Sequence, residues 1–163
     1  MSSAAGQCSG RSKPFIRPLQ KGDATELGQT MRQEDRDELM HSSRSSPLSA
    51  LVTGIGLSRS VHTIEWDGKV VAIFGVCGTP GNDVGVPWML GTDDISRCRK
   101  SLLRGCRAVV DGYAKDFPYL TNACWSKNVV HINWIKWLGF TFEGSDLRNG
   151  ETFLHFHRRS NNV

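Results

Sequence analysis

The sequence predicts an α/β (α+β) chain with the element order β-α-α-β-β-β-α-β-α-β-β, and three stretches carry that expectation. Asn128 to Phe140 reads as a helix capped by Asn128 and stopped by Gly139. The alternating strand Phe140-Thr-Phe-Glu143 follows at once. Val61-His-Thr-Ile-Glu-Trp66 and Lys69-Val-Val-Ala-Ile-Phe-Gly-Val76 flank an Asp67-Gly68 turn, which is the pattern of a tight β-hairpin. Between these lies a long helix whose apolar positions Leu102, Leu103, Cys106, Val109, Val110 and Tyr113 keep helical spacing.

The remaining elements fall around those three. Pro14-Phe-Ile-Arg-Pro18 is a short strand, and Asp23-Ala-Thr-Glu26 has the form of a capping box that opens one helix through about Met40. His41 to Ser46 is a polar linker, after which Ser46-Pro47 supplies a cap and a first-turn proline for a helix to about Leu57, its end frayed by Gly54 and Gly56. Thr79 to Gly85 holds turn formers, and Val86-Pro-Trp-Met-Leu-Gly91 is a short strand. Asp93 or Asp94 is the expected cap of the long helix, and Pro118 ends it. Tyr119 to Trp125 is a strand leading to the Asn128 helix. Phe140 to Glu143 and Glu151 to His157 close the chain across the turn-rich Gly144 to Gly150.

The length, 163 residues, suits one domain that buries roughly two-thirds of its unfolded surface. Residues 1–12 are predicted to be a disordered tail, 13–159 a single domain and 160–163 a C-terminal tail. Five cysteines, odd in number and without a C-x-x-C pair, predict reduced and mostly buried thiols in a cytosol-made protein. No apolar run is long enough to span a bilayer, and Met1 to Ser12 lacks the apolar core of a signal peptide. The net charge of +4 permits an acidic partner without demanding one.

An Asn-initiated helix that closes on Leu138-Gly-Phe140 resembles the last helix of the GNAT acyltransferases. Met31-Arg-Gln-Glu-Asp-Arg-Asp-Glu38, Trp88-Met-Leu-Gly-Thr92, Leu120-Thr-Asn122 and Asn128-x-x-His131-Ile-x-Trp-Ile-Lys-Trp-Leu-Gly-Phe140 together resemble the GNAT-like internal virion proteins (internal virion protein A) of short-tailed phages. The likeness covers nearly all of Phe15 to Arg159. It implies a mixed, mainly antiparallel twisted sheet flanked by helices, and a part in virion morphogenesis beside other phage structural proteins. It also implies a location in the host cytoplasm during assembly and then in the virion. Acetyl-CoA is the cofactor the fold implies if the chain is active. Its sites by resemblance are Met89, Leu90 and Gly91 for the pantetheine arm, Arg97, Arg99 and Lys100 for the phosphates, and Asn122, Ser126 and Asn128 at the strand end.

Measured against that family, the catalytic parts are missing. The phosphate loop of an active GNAT, Gln/Arg-x-x-Gly-x-Gly/Ala, lets backbone N–H groups approach a diphosphate at a helix N-terminus. Here Asp94 takes the first position and Arg97 and Arg99 the glycine positions. Thr92 to Leu103 contains no glycine at all, so no shift of register restores the loop. The carboxylates Asp93 and Asp94 suit the helix dipole. The family's acid, a tyrosine seven residues after the helix-opening Asn, is Ile135 here, which donates no proton. Tyr113 fits the core stripe of its own helix. Glu34, Asp35 and Glu38 could offer a base, although charges strung on one helix ordinarily form a solvated face. No catalytic residue is assigned. The expected cofactor is none, with acetyl-CoA the alternative.

Four other features remain. Arg97, Lys100, Arg104 and Arg107 must share one helix face, which suits coenzyme A phosphates at one end, an acidic protein, or, less favourably, nucleic acid. His155 and His157 share a strand face but have no third metal ligand nearby in sequence, so no metal is expected. Cys124 reads as a buried thiol and His131 as a hydrogen-bonded structural histidine. The Asn128 helix is apolar almost all round, so either its neighbours wrap it or Trp134 and Trp137 form an exposed patch. In the second case these tryptophans, with Arg104 and Arg107, mark a partner interface. The first functional reading is thus a GNAT-fold virion protein with a degenerate acetyl-CoA site that works by protein contact. The alternative is an active N-acetyltransferase with a non-standard phosphate loop.

Overall fold

The computed structural model describes residues 12–79 and 81–160, so the expectations for the N-terminal tail to residue 11 and for residues 161–163 lie outside the described residues. Seven strands form one sheet: β1 (Phe15–Pro18), β2 (Ser58–Trp66), β3 (Lys69–Cys77), β4 (Val84–Gly91), β5 (Tyr119–Trp125), β6 (Thr141–Arg148) and β7 (Glu151–Arg159). Their order is β1-β2-β3-β4-β5-β7-β6, antiparallel everywhere except between β4 and β5. Helices α1 (Asp23–Thr30), α2 (Gln33–Ser42) and α3 (Pro47–Leu57) precede β2, α4 (Ile95–Asp116) joins β4 to β5, and α5 (Val129–Trp137) joins β5 to β6. None of the described helices is long and apolar enough to cross a membrane.

Several elements form for the reasons legible in the sequence. Asp67 and Gly68 take φ of 51° and 72°, the left-handed pair that lets β2 and β3 meet with matched twist. Ser46 Oγ accepts from Ser49 N at 3.3 Å with Pro47 in the first turn of α3. Asn128 caps α5 by accepting from His131 N, and Gly139 turns out of it with φ 88°.

Others differ. The single helix expected from Asp23 to Met40 is two, because Met31 is extended (φ −57°, ψ 135°) and Arg32 N donates to Gly91 O at 3.0 Å. A tertiary partner on β4 thus replaces an intrahelical one. The capping box is not formed either. Asp23 accepts from Arg17, Gln20 N and Thr63 Oγ1 instead, and Glu26 Oε1 accepts from Val70 N at 2.8 Å. Neither Asp93 nor Asp94 caps α4 by its side chain, since Asp94 is itself helical and its carboxylate turns to Arg97 Nη1 at 3.0 Å. α3 does not fray at Gly54, where a Cβ would lie 3.2 Å from the Trp88 ring. Gly144 to Arg148, expected as loop, belong to β6, with a bulge between Phe142 and Ser145 and the turn at Asn149-Gly150.

Two cores lie on opposite faces of the sheet. The larger packs Leu102, Cys106, Val110 and Phe117 of the α4 region and Trp134, Ile135 and Leu138 of the α5 region on β3, β5 and β7. The smaller sets Leu27 of α1, Met31 and Leu51 of α3 on Val70 and Ile73. Leu27 and Leu51 are fully buried, and each such side chain contributes roughly 1.5–3 kcal/mol on leaving water. What matters for function is the seam. β4 and β5 pair only at Val84 with Tyr119 and Gly85 with Leu120, then part. The close start requires glycine, because a Cβ on Gly85 would lie 2.7 Å from the Phe117 ring and 2.9 Å from Leu120.

Candidate functional site

The parting of β4 from β5 leaves a wedge, and alternation along β4 decides which peptide groups face it. Thr92 N donates to Val71 O at 2.8 Å, so the even-numbered end of β4 faces β3 and the peptides of Pro87, Met89 and Gly91 face the wedge. Pro87 O accepts from Asn122 Nδ2 at 2.8 Å. Gly91 N donates to Asp35 Oδ2 at 2.8 Å, while Gly91 O takes the Arg32 N–H. Only the Met89 peptide between them keeps its edge toward the wedge.

The groups that close Gly91 belong to a buried polar knot joining α2, β4 and α5. Arg32 Nε donates to Asp35 Oδ1 at 2.9 Å, and its Nη2 donates to Asn128 Oδ1. Asn128 Nδ2 donates to Asp35 Oδ1 at 3.0 Å and to Glu38 Oε2 at 2.7 Å. His131 Nδ1 stands 3.6 Å from Glu38 Oε2, an ion pair just beyond hydrogen-bond length. Arg32 and Asp35 are each 5 % exposed and Asn128 is fully buried. Burial pushes the Glu38 carboxyl up, but His131 and the Asn128 amide outweigh this and hold it below its ordinary range. Burial likewise pushes His131 down, and Glu38 with Asp35 reverses it, so the imidazole is raised above its ordinary value.

Two spaces flank the wedge. Between α4, α5 and β4 are small gaps of about 20 and 40 Å³ lined by Met89, His131 and Trp134. The indole Nε1 of Trp134 is buried there without a hydrogen-bond partner. On the other side opens a groove of about 470 Å³, lined among others by Glu38, Ser42, Trp88, Met89, Asn122 and Arg148.

Several expected site residues are placed differently. The Asn128 side chain is engaged within the chain: its amide oxygen accepts from Arg32 and His131 N, and its nitrogen donates to Asp35 and Glu38. The Gly91 peptide is likewise taken. Asp35 and Glu38 do not belong to a solvated face, while Glu34 does. Trp134 is 3 % exposed, so the proposed aromatic patch with Trp137 is not on the surface as a pair; Trp137 alone reaches it, at 37 %. Met89, Leu90 and Asn122 line the large groove. Arg97, Lys100, Arg104 and Arg107 are exposed along α4. Of Arg99 only the backbone, within α4, is described. Ile135 is buried in the larger core, and Tyr113 lines the gap between α4 and α5 while its hydroxyl shares a hydrogen bond with His62 Nδ1 at 3.0 Å. Cys124 is buried and its thiol is pushed up to about 12 by burial. His155 pairs with Asp146 at 3.3 Å. Among the described residues no group of three or more potential ligands could hold a metal.

The linked set Arg32, Asp35, Glu38 and His131 is what residue-by-residue reasoning missed. A signal existed in the matching spacing of Asp35 with Glu38 and of Asn128 with His131, each three apart on a helix.

A sheet parted between its two parallel strands, with a helix beginning at the end of each, is the architecture of the GNAT acetyltransferases, and this chain has that fold. Solved structures agree. RimL, the ribosomal L7/L12 α-N-protein acetyltransferase in complex with coenzyme A, matches over 91 % of this chain and 94 % of its own, with 15 % identity and a TM-score of 0.64. The ribosomal-protein-S5-alanine acetyltransferase from Vibrio fischeri matches at 16 % identity over 93 % and 95 %, TM-score 0.63. A GNAT acetyltransferase from Streptococcus pneumoniae matches at 14 % over 90 % and 99 %, TM-score 0.58. At such identities the likeness shows the fold alone. No family model and no curated protein matches the chain, so the resemblance to phage internal virion proteins rests on its sequence motifs.

Coenzyme A, which the neighbouring RimL binds, fits these residues only in part. An amide-bearing arm finds the Met89 peptide edge and the unpartnered Trp134 Nε1. A diphosphate meets the opposite of a cradle. Asp93 and Asp94 stand at the start of α4, the first-turn N–H groups of Ile95, Arg97 and Cys98 are spent on Thr92 O and Asp94 O, and the Arg97 guanidinium is held by Asp94 and over the Trp66 ring. The phosphate end of the cofactor therefore lacks a backbone cradle, while the arm end meets polar groups.

Proposed function

We propose that this chain is a GNAT-fold protein that works by protein contact rather than by acetyl transfer, and that its setting is the virion assembly its sequence motifs imply. The observation that carries the first half is the Gly91 peptide. Its N–H and C=O, which face the wedge, are both taken by α2 through Asp35 and Arg32. The acidic, glycine-free start of α4 supports the same reading. The second half, with phage structural proteins as partners and a place in the virion after assembly in the host cytoplasm, is supported by the resemblance alone. Titration calorimetry with acetyl-CoA up to about 1 mM, a concentration that saturates sites of ordinary cofactor affinity, should show no saturable heat. Saturable binding together with amine-dependent thiol release would overturn the reading.

One observation favours a second reading, an active N-acetyltransferase. Glu38, held ionised, lines the large groove beside Met89, where an acceptor amine would lie and could lose its proton to the carboxylate. Turnover that disappears in Glu38→Gln would establish it.

A further inference from the structure

The outer face of α4 has no part in the wedge. Arg97, Lys100, Arg104 and Arg107 lie exposed along it, while Leu102, Cys106, Val110 and Tyr113 face the sheet. Arg97 is paired with Asp94, and at the far end Asp111 is paired with Arg158. Among the described residues Lys100, Arg104 and Arg107 have no carboxylate partner. Three adjacent cations that repel one another, and that no described carboxylate neutralises, favour an anion from outside.

The chemistry of the face selects the kind of anion. The exposed positions among the cations are Ser101 and Ala108, whereas Gly105 is turned toward Ile16 of β1, and among the described residues α4 exposes no large apolar side chain. A protein partner draws its affinity from buried aromatic or aliphatic anchors at the centre of an interface, and this face supplies none. A polyanion held by its charges needs no such anchor. At a rise of about 1.5 Å per residue, Lys100, Arg104 and Arg107 are spaced about 6 and 4.5 Å along the helix. A nucleic-acid backbone carries one negative charge per nucleotide along a continuous line, which a row of cations can follow. Arg104 and Arg107 stand about 14–18 Å from the start of α4, beyond a diphosphate placed at that terminus.

We infer that the outer face of α4 is a binding surface for the phosphate backbone of nucleic acid, held by Lys100, Arg104 and Arg107 without reading sequence. Small side chains between the cations let the backbone approach the helix closely. Binding is electrostatic, so it weakens steeply with salt and is indifferent to base composition.

The test is fluorescence anisotropy of a labelled single-stranded DNA of about 16 nucleotides, long enough to span one strand-binding site. It is run with the whole chain between about 50 and 200 mM salt. Three phosphate contacts predict a slope of log K against log salt of about −2. Arg104→Glu with Arg107→Glu should weaken binding about tenfold or more and flatten the slope to about −0.7, at an unchanged melting temperature. Lys21→Glu, an exposed charge on α1's approach, should stay within about threefold. Absent or salt-insensitive binding overturns the inference, as does an equal loss in Lys21→Glu. Charge-matched polyglutamate that displaces the labelled DNA at a lower concentration than unlabelled DNA would assign the face to an acidic protein, and DNA binding that survives Arg104→Glu with Arg107→Glu would place it elsewhere; either result overturns it too. None of these outcomes depends on whether the wedge turns over acetyl-CoA.

Discussion

Charge is gathered in two places in this molecule, and it is handled in opposite ways. In the knot behind the wedge, Arg32, Asp35, Glu38, His131 and the Asn128 amide are taken from water, and each charged group has a partner of opposite sign. On the outer face of α4, three cations stand in water with no carboxylate partner among the described residues. The difference teaches that the knot holds the fold, since an unpaired charge there is not tolerated, whereas the α4 face is free to serve something else.

The knot is most vulnerable at Asp35, which pairs with Arg32 and accepts from Gly91 N. Asp35→Ala leaves Arg32 buried without its counter-charge and Gly91 N without an acceptor, and it should destabilise the protein by about 3–5 kcal/mol in urea titration. A loss below about 1 kcal/mol would mean that water reaches the knot.

A smaller effect is expected from pH. His131 is raised in the folded state, so its contribution is complete below its ordinary value of 6.5 and is lost as pH climbs through the folded value. Glu38 is lowered, so its contribution is complete above 4.5 and is lost as pH falls through the folded value. Stability should therefore peak between these two pH values. His131→Gln should remove the decline on the alkaline side and cost roughly 1–3 kcal/mol near pH 6, the penalty of a buried group deprived of its partner. An unchanged alkaline limb would count against the pair.

The smallest effect belongs to the α4 face, where Arg104→Ala with Arg107→Ala should leave stability within about 0.5 kcal/mol of the parent. A larger loss would give those arginines a structural part and narrow the contrast.

What was legible in the sequence was the local part of the fold. Asp67-Gly68, Ser46-Pro47 and the Asn128 to Gly139 helix each carry their own instructions within a few residues, and each formed as read. The break at Met31 was not legible, because nothing local forbids a helix there. Arg32 leaves helical geometry for a carbonyl on β4 and an amide on α5. The site failed to show itself for the same reason. Asp35 and Glu38 look like ordinary surface charges until Asn128, 93 and 90 residues later, is brought against them. Trp134 and Trp137 are equally apolar in sequence, and only the packing of α5 decides that the first is core.

The contact between Arg32 and Asn128 spans 96 residues, which gives it a consequence for synthesis. At about 5–20 residues per second on the ribosome, α2 emerges roughly 5–20 s before the amide that completes it. During that interval Arg32 and Asp35 have each other but not α5, so the N-terminal half cannot close over them dry. The first strands are left waiting on α5, and these residues commit to their final shape only once it has emerged.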